Sequence, residues 1–461
     1  MSENFEKYFI ICTFITSFFG VFITNGVIIG TPEIAADFGM NNVLQNWIPA
    51  ILVLVATMFT VPFGQICGKY GFKKAWMIAQ LIKIIGLVIC CLSISTEMFF
   101  TSRVLQGIGI AIGNVCEMAI VVLAIDNEKR GRALGIIVTG VYLGTSLSPV
   151  ACGFLVQNFG WRSMFYMTIL FNSIAAAILL LKTDGEWKTN EHDRLDYKGM
   201  IMYVFGIFFL IYGISICMTL EGQAMTIAGI IILIAFGHYE LHERMPVFNV
   251  TLLKKHSFTL YNIAGMCGYL AVMMITTIFN YHFQYVKGWD PEMTGIILLV
   301  SPVVMSIVAP NAGKLSDRIH PQKIAATGMF ITLFAFAILI MMDANTPLPV
   351  IILAMVLQAV GMGLFSSPNM NAIMSSVDEK YAAHASAAQI TVRGIGQTMS
   401  LTIVTLVFGW VMGSLALSSQ YSDMIVESSQ IICIICAVAC ALAVITSVIG
   451  IRLEKKTDSS L

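Results

Sequence analysis

Charge is scarce in this chain: Asp, Glu, Lys and Arg together make up 11% of its 461 residues, where a soluble domain carries about a quarter. With 57% of residues hydrophobic, too few polar side chains remain to cover a core of this size in water, and the composition fits a chain whose solvent is lipid. Net charge is lacking too, with 26 basic residues against 26 acidic ones, and the basic residues are scattered, so no nucleic-acid footprint is present. Strand-length alternation is absent, which excludes a transmembrane β-barrel. A helical membrane bundle remains.

Several chemistries are excluded in the same way. No Gly-x-x-x-x-Gly-Lys-Ser/Thr pattern occurs, so no nucleotide loop is expected. Cysteines such as Cys90, Cys91, Cys116 and Cys440 fall inside apolar runs without partners at metal-ligand spacing. Cys433 and Cys436 form a CxxC at lipid depth and read as small apolar filler. The expectation is a non-enzyme with no cofactor and no metal. The first apolar run lacks a cleavage pattern and no lipidation motif is present, so that run reads as a retained span.

What the chain does have is about fourteen apolar runs of spanning length, beginning near Tyr8, Trp47, Ala75, Met98, Gly135, Met164, Met200, Met225, Phe258, Thr294, Ile324, Pro349, His384 and Ile431. Lys69, Lys73, Lys74, Lys129, Arg130, Arg132, Lys254, Lys255, Lys314, Arg318, Lys323 and Arg452 fall on one side of these runs, while the opposite side holds only Arg162 and Lys287. The excess marks the cytoplasmic side and places both termini there, in a cell-membrane protein.

The longest polar stretch between runs, Lys182 to Gly199, suggests a division: an N-terminal six-helix lobe over 1–181, linkers and an inserted transmembrane hairpin over 182–257, and a C-terminal six-helix lobe over 258–461. Each lobe carries a basic loop between its second and third spans, FGQICGKYGFKK from Phe63 to Lys74 and NAGKLSDRIHPQK from Asn311 to Lys323. Such repeats build transporters whose substrate site lies near the midplane.

Polar residues inside the spans form stripes. In span 4, Arg103, Asn114 and Glu117 fall within about 40° of one helical line, with Gln106 beside it. In span 13, Gln389, Arg393 and Gln397 do the same, with Ser386 and Ser400. A membrane-depth charge costs about 2.5–3.5 kcal/mol or more, so these faces need water or a partner. Arg393 is expected to be a buried cation in a polar seam, and Arg103 likewise. Glu117 has two readings: a carboxylate that carries protons, or a permanent ion-pair partner of Lys83 in span 3. His282, near the outer end of span 9, is expected to be solvated. Asn369 and Asn371 are read as helix-to-helix hydrogen bonders.

The motifs carry a resemblance. GKLSDRIHPQK is similar to the loop motif of the major facilitator superfamily, with Gly313, Asp317 and Arg318 in register. GQICGKYGFKK keeps Gly64, Lys69, Gly71, Lys73 and Lys74 but has Gly68 where the family has an aspartate. RVLQGIGIAIG resembles the family's span 4 pattern through Arg103, Gln106, Gly107 and Gly113, and GIIVTGVYLGTSLSPVACG resembles its antiporter motif through Gly135, Gly144, Pro149 and Gly153. Further stretches resemble the fourteen-span drug:proton antiporter branch, although Ile23 stands where that branch carries an acid in span 1 and Asn25 is the nearby polar residue. The resemblance implies an all-α membrane protein of two six-helix lobes that works by alternating access, with the basic loops as cytoplasmic latches. It implies proton-driven efflux of small amphipathic compounds, with uptake of a polar solute as the alternative. The expected partners are the lipid bilayer, a small-molecule substrate and protons, and the chain is read as a monomer.

Overall fold

The structure is a computed structural model that describes residues 3–125, 127–182, 185–188, 195–243, 246–248, 250–316, 318–377 and 382–458. Among them it is all-helical, with α1 (Glu3–Asp37), α2 (Asn42–Tyr70), α3 (Phe72–Cys91), α4 (Thr96–Ala124), α5 (Asn127–Phe159), α6 (Arg162–Lys182), α7 (Tyr197–Ser215) and α8 (Leu220–Glu240). After a short 3-10 turn follow α9 (His256–Tyr281), α10 (Pro291–Leu298), α11 (Val300–Ser316), α12 (Pro321–Leu339), α13 (Leu348–Ser375), α14 (Ala382–Met412) and α15 (Ser422–Asp458). These helices supply 14 stretches long and apolar enough to cross a membrane. The tenth crossing, Pro291–Ser316, is broken into α10 and α11. Pro302 has no N–H to return to the Leu298 carbonyl, so the helix stops and restarts there.

The first turn of a helix leaves backbone N–H groups without an intrahelical partner, and side chains cap several of them here. The Asn41 side chain accepts from Leu44 N at 2.9 Å, Ser95 from Met98 N at 3.3 Å and Thr219 from Gly222 N at 3.0 Å. The chain folds as two units, Met1–Phe208 with Asp290–Ile296, and Phe209–Trp289 with Ile297–Leu461.

Close backbone approaches organise the first unit. A Cβ on Gly144 of α5 would lie 2.5 Å from Phe18 O of α1, and one on Gly140 would lie 3.0 Å from Phe14 O. Ser148 Oγ donates to Phe22 O at 2.7 Å along the same seam. Farther along α5, Gly153 faces Pro291 O, and the Pro149 carbonyl faces Gly295 of α10. Aromatic rings fill the interior: Phe9 meets Trp76 edge-on at 5.3 Å, and Trp161 meets Phe165 at 5.8 Å. α7 docks on α2, where Tyr203 Oη donates to Thr57 O at 3.2 Å.

The second unit uses the same device. Gly328 of α12 and Gly361 of α13 each face the other's carbonyl. Polar glue joins this pair to α15: Gln322 Nε2 donates to Asn369 Oδ1 at 3.2 Å and to Ser447 Oγ at 2.8 Å, while Asn371 Nδ2 donates to Ser316 Oγ at 3.0 Å. Both asparagines therefore bond between helices. The thiols of Cys433 and Cys436 are buried and free, with Cys436 Sγ 3.3 Å from Met274 Sδ.

Candidate functional site

In the first unit the charged stripe of α4 meets hydroxyls from α1 and an indole from α3. Glu117, only 9% exposed, accepts from Thr16 Oγ1 at 2.6 Å and Trp76 Nε1 at 3.3 Å on Oε1, and from Ser17 Oγ at 3.0 Å on Oε2. Thr16 Oγ1 also lies 3.0 Å from Cys12 O and 3.2 Å from Thr13 O. A hydroxyl has one hydrogen and two lone pairs. Thr16 can therefore donate to an ionised Glu117, or accept from a protonated Glu117 while donating to its own helix. The site accommodates both protonation states without moving a backbone.

Lys83 of α3 is buried too, yet no ion pair closes between it and Glu117 within 4.0 Å among the described residues. Its stem passes the bare backbone of Gly109, whose Cβ would meet Lys83 Cγ at 2.5 Å. Lys83 lines a pocket with Phe19, Ile23, Gln106, Thr168 and Asn172. Beyond it Arg103, 0% exposed, donates through Nη1 to Gln106 Oε1 at 2.8 Å, leaving Nε and Nη2 without a protein partner. Gly86 makes room for the Gln106 side chain. Arg103 is thus buried as its stripe predicts. Asn114 is not: it is exposed and stands apart from the Glu117 cluster, because a line 40° wide still spans the edge between covered and open helix faces. Asn25 is half-buried and takes no part in the cluster.

The second unit departs further from expectation. Arg393 is exposed, not buried, and its guanidinium carbon sits 5.1 Å from the centroid of the Tyr269 ring. Gln389, one turn earlier on α14, places Nε2 3.5 Å from Tyr269 Oη, while Gln397 is half-buried. His282, expected in solvent, is 0% exposed, and neither ring nitrogen has a partner. Two local features lie beside it. The helix widens into a π-turn at His282–Val286, and Lys287 Nζ draws the loop before α13 over the helix end by donating to Ala344 O at 2.8 Å and Thr346 O at 3.0 Å.

The family model described as Major Facilitator Superfamily matches residues 10–401. The chain belongs to that superfamily. It is a transporter and a multi-pass membrane protein, not an enzyme. Among its relatives, the riboflavin transporter RibZ of Clostridioides difficile is 27% identical over 441 residues, 94% of each chain. The multidrug resistance protein Stp of Mycobacterium tuberculosis is 24% identical over 401 residues, 84% of this chain and 73% of that one. Solved structures share the fold: a bacterial homolog of the human lysosomal transporter Spinster, with TM-score 0.73 and 14% identity over 98% of this chain and 99% of that one, and the peptide transporter PepTSo, with TM-score 0.74 and 13% identity over 100% and 99%.

The superfamily's loop motif takes an unusual form in the first unit. Gly68 lacks the carboxylate, but Glu186 arrives from beyond α6 and accepts from Lys73 N at 2.9 Å and Lys74 N at 3.2 Å, at the N-terminus of α3. There the helix dipole favours an anion. Phe72 N donates to Trp187 O at 2.9 Å beside it. Gly71, at φ 114° with Glu186 packed where a Cβ would project, admits no other residue without displacing this cap. Gly64 has open space around it, and Lys69 follows in the last turn of α2. In the second copy Gly313 faces Ser367 Oγ and Arg318 is exposed, while Asp317 lies outside the described residues. In the antiporter motif, Gly144, Pro149 and Gly153 make the close approaches described above; the surroundings of Gly135 lie outside what is described.

Thr16, Ser17, Trp76 and Tyr269 are the participants that sequence reasoning missed. Ser and Thr in apolar helices commonly bond their own i−4 carbonyl, and nothing in a single sequence marks the two that turn toward a carboxylate.

Proposed function

We propose that this transporter is a proton-driven exporter of small amphipathic compounds in the cell membrane, acting as a monomer by alternating access, with Glu117 as the coupling carboxylate. The observation that carries the reading is the Thr16 hydroxyl, placed to donate to Glu117 or to accept from it. A coupling acid must gain and lose its proton at depth, and a hydroxyl with an alternative acceptor supports both states. The multidrug resistance relative supports efflux as the direction. In proteoliposomes with an imposed pH gradient, amphipathic dyes are expected to move against inward-moving protons. Flux in the same direction as the protons would replace this reading with symport.

A second reading is favoured by the riboflavin transporter relative, which matches the chain over most of its length: uptake of a polar heteroaromatic solute. Riboflavin therefore belongs in the same flux panel. The charge asymmetry between loops supports both termini on the cytoplasmic side. Tags at Met1 and at Leu461 are expected to react with an impermeant label only after the membrane is permeabilised, and labelling in intact cells would reverse the topology.

A further inference from the structure

We propose that Tyr269, Gln389 and Arg393 form a recognition point for an anionic group, so that the transported amphipathic compound is an aromatic anion such as an arylcarboxylate. This rests on the reading of the chain as a carrier of amphipathic compounds and narrows it to one charge class.

The argument begins with a helix seam. Gly396 of α14 comes so close to α9 that a Cβ there would lie 2.7 Å from Met266 O and 3.3 Å from Tyr269 Cβ. That contact holds the Tyr269 ring under the stretch of α14 that carries Arg393 and Gln389. Arg393 lies about 16 Å from the start of α14 at 1.5 Å per residue, inside the span Ala388–Met412. Its guanidinium lies over the tyrosine ring at 5.1 Å, and among the described residues it makes no ion pair and no hydrogen bond. A ring contact uses the face of a guanidinium and leaves its edge of N–H donors free. A free, exposed fork of donors matches a carboxylate with two parallel bonds.

The sign of the fork points the same way. A cationic group would meet repulsion at Arg393, whereas an anionic one meets donors. The guanidinium face turned away from Tyr269 can stack on the aromatic body of such a molecule.

The test uses the purified full chain in detergent, with fluorescein as the aromatic carboxylate and tetraphenylphosphonium as the cation. Fluorescence anisotropy is expected to show saturable fluorescein binding that tetraphenylphosphonium does not displace. Arg393→Gln should weaken it about tenfold or more, since it removes a charge-assisted bidentate contact. Arg393→Lys, which keeps charge without the fork, should retain part of the affinity. Both variants should elute and melt as the parent does, because among the described residues the guanidinium makes no ion pair or hydrogen bond and its ring contact with Tyr269 is an exposed, weak one. Absence of saturable fluorescein binding, or equal affinity in Arg393→Gln, overturns the inference. Binding in detergent needs no gradient, so the outcomes separate. A chain that binds fluorescein through Arg393 yet shows no proton-driven flux keeps this inference and loses the exporter reading. Proton-driven efflux of tetraphenylphosphonium that is indifferent to Arg393→Gln does the reverse.

Discussion

Glu117→Gln is expected to lower pH-driven flux to the level of protein-free vesicles, while the protein still inserts and still exchanges substrate across a membrane without a gradient. Glutamine keeps the shape of the acid. Its carbonyl oxygen can accept from Thr16 and Trp76, and its amide can donate to Ser17, so the polar contacts of Glu117 survive. Only the ability to take up and release a proton is lost. The rival reading makes Glu117 a permanent partner of Lys83, and breaking a buried pair on one side costs about 3–5 kcal/mol. That reading predicts a poorly folded single variant and a recovered double variant with Lys83→Met. The geometry argues against it: three neutral donors hold the carboxylate, and no ion pair joins it to Lys83 within 4.0 Å. The double variant should therefore stay uncoupled. Restored pH-driven transport in Glu117→Gln/Lys83→Met would eliminate Glu117 as the proton carrier.

Gly144→Val is expected to remove most of the correctly inserted protein, as read by size-exclusion of a fluorescent fusion in detergent. The added Cβ would lie 2.5 Å from Phe18 O, and its neighbours there are Phe18 C and Cα at 3.2 and 3.3 Å. These are helix backbone atoms, unable to swing aside as a side chain can. Either α1 and α5 separate, breaking the Ser148 to Phe22 bond, or a strained contact persists; overpacking costs about 1–3 kcal/mol and more where backbone must move. Gly113→Ala is the control. It too belongs to a family-like motif, but nothing beyond its own helix backbone and its chain neighbours lies within 4 Å of its added Cβ, and alanine is the better helix former by roughly 1 kcal/mol. Equal yields from the two variants would show that the α1–α5 seam tolerates separation.

The contrast between these glycines shows what a sequence conveys and what it withholds. Hydropathy over twenty residues is a local property, so the crossings and their order were legible, including the stretch that proline later breaks in two. A stripe of polar residues on one helix is local as well, and it located Arg103 and Glu117 on a covered face. Which helix provides the cover is not local. The donors to Glu117 come from α1 and α3, and the ring under Arg393 comes from α9. The misplacements have the same origin. Asn114 lies on the edge of a stripe whose covered side only the neighbouring helices define. His282 lies where counting predicts solvent, yet it is buried at a helix end to which Lys287 ties the loop before α13. Arg393 was expected to be buried because membrane-depth charge is costly, whereas the structure leaves it open, stacked on one ring.

The cap on α3 carries a consequence for biogenesis. Glu186 stands 113 residues along the chain from the Lys73 amide it receives, and α4, α5 and α6 are all translated between them. A ribosome therefore delivers α2 and α3 into the membrane with the α3 N-terminus uncapped, and Gly71 leaves that corner free to swing. The corner closes only when the segment after α6 emerges. The first unit is thus clasped at the end of its own synthesis, and an amide at the start of α3 should gain protection from exchange as a late event of assembly rather than an early one.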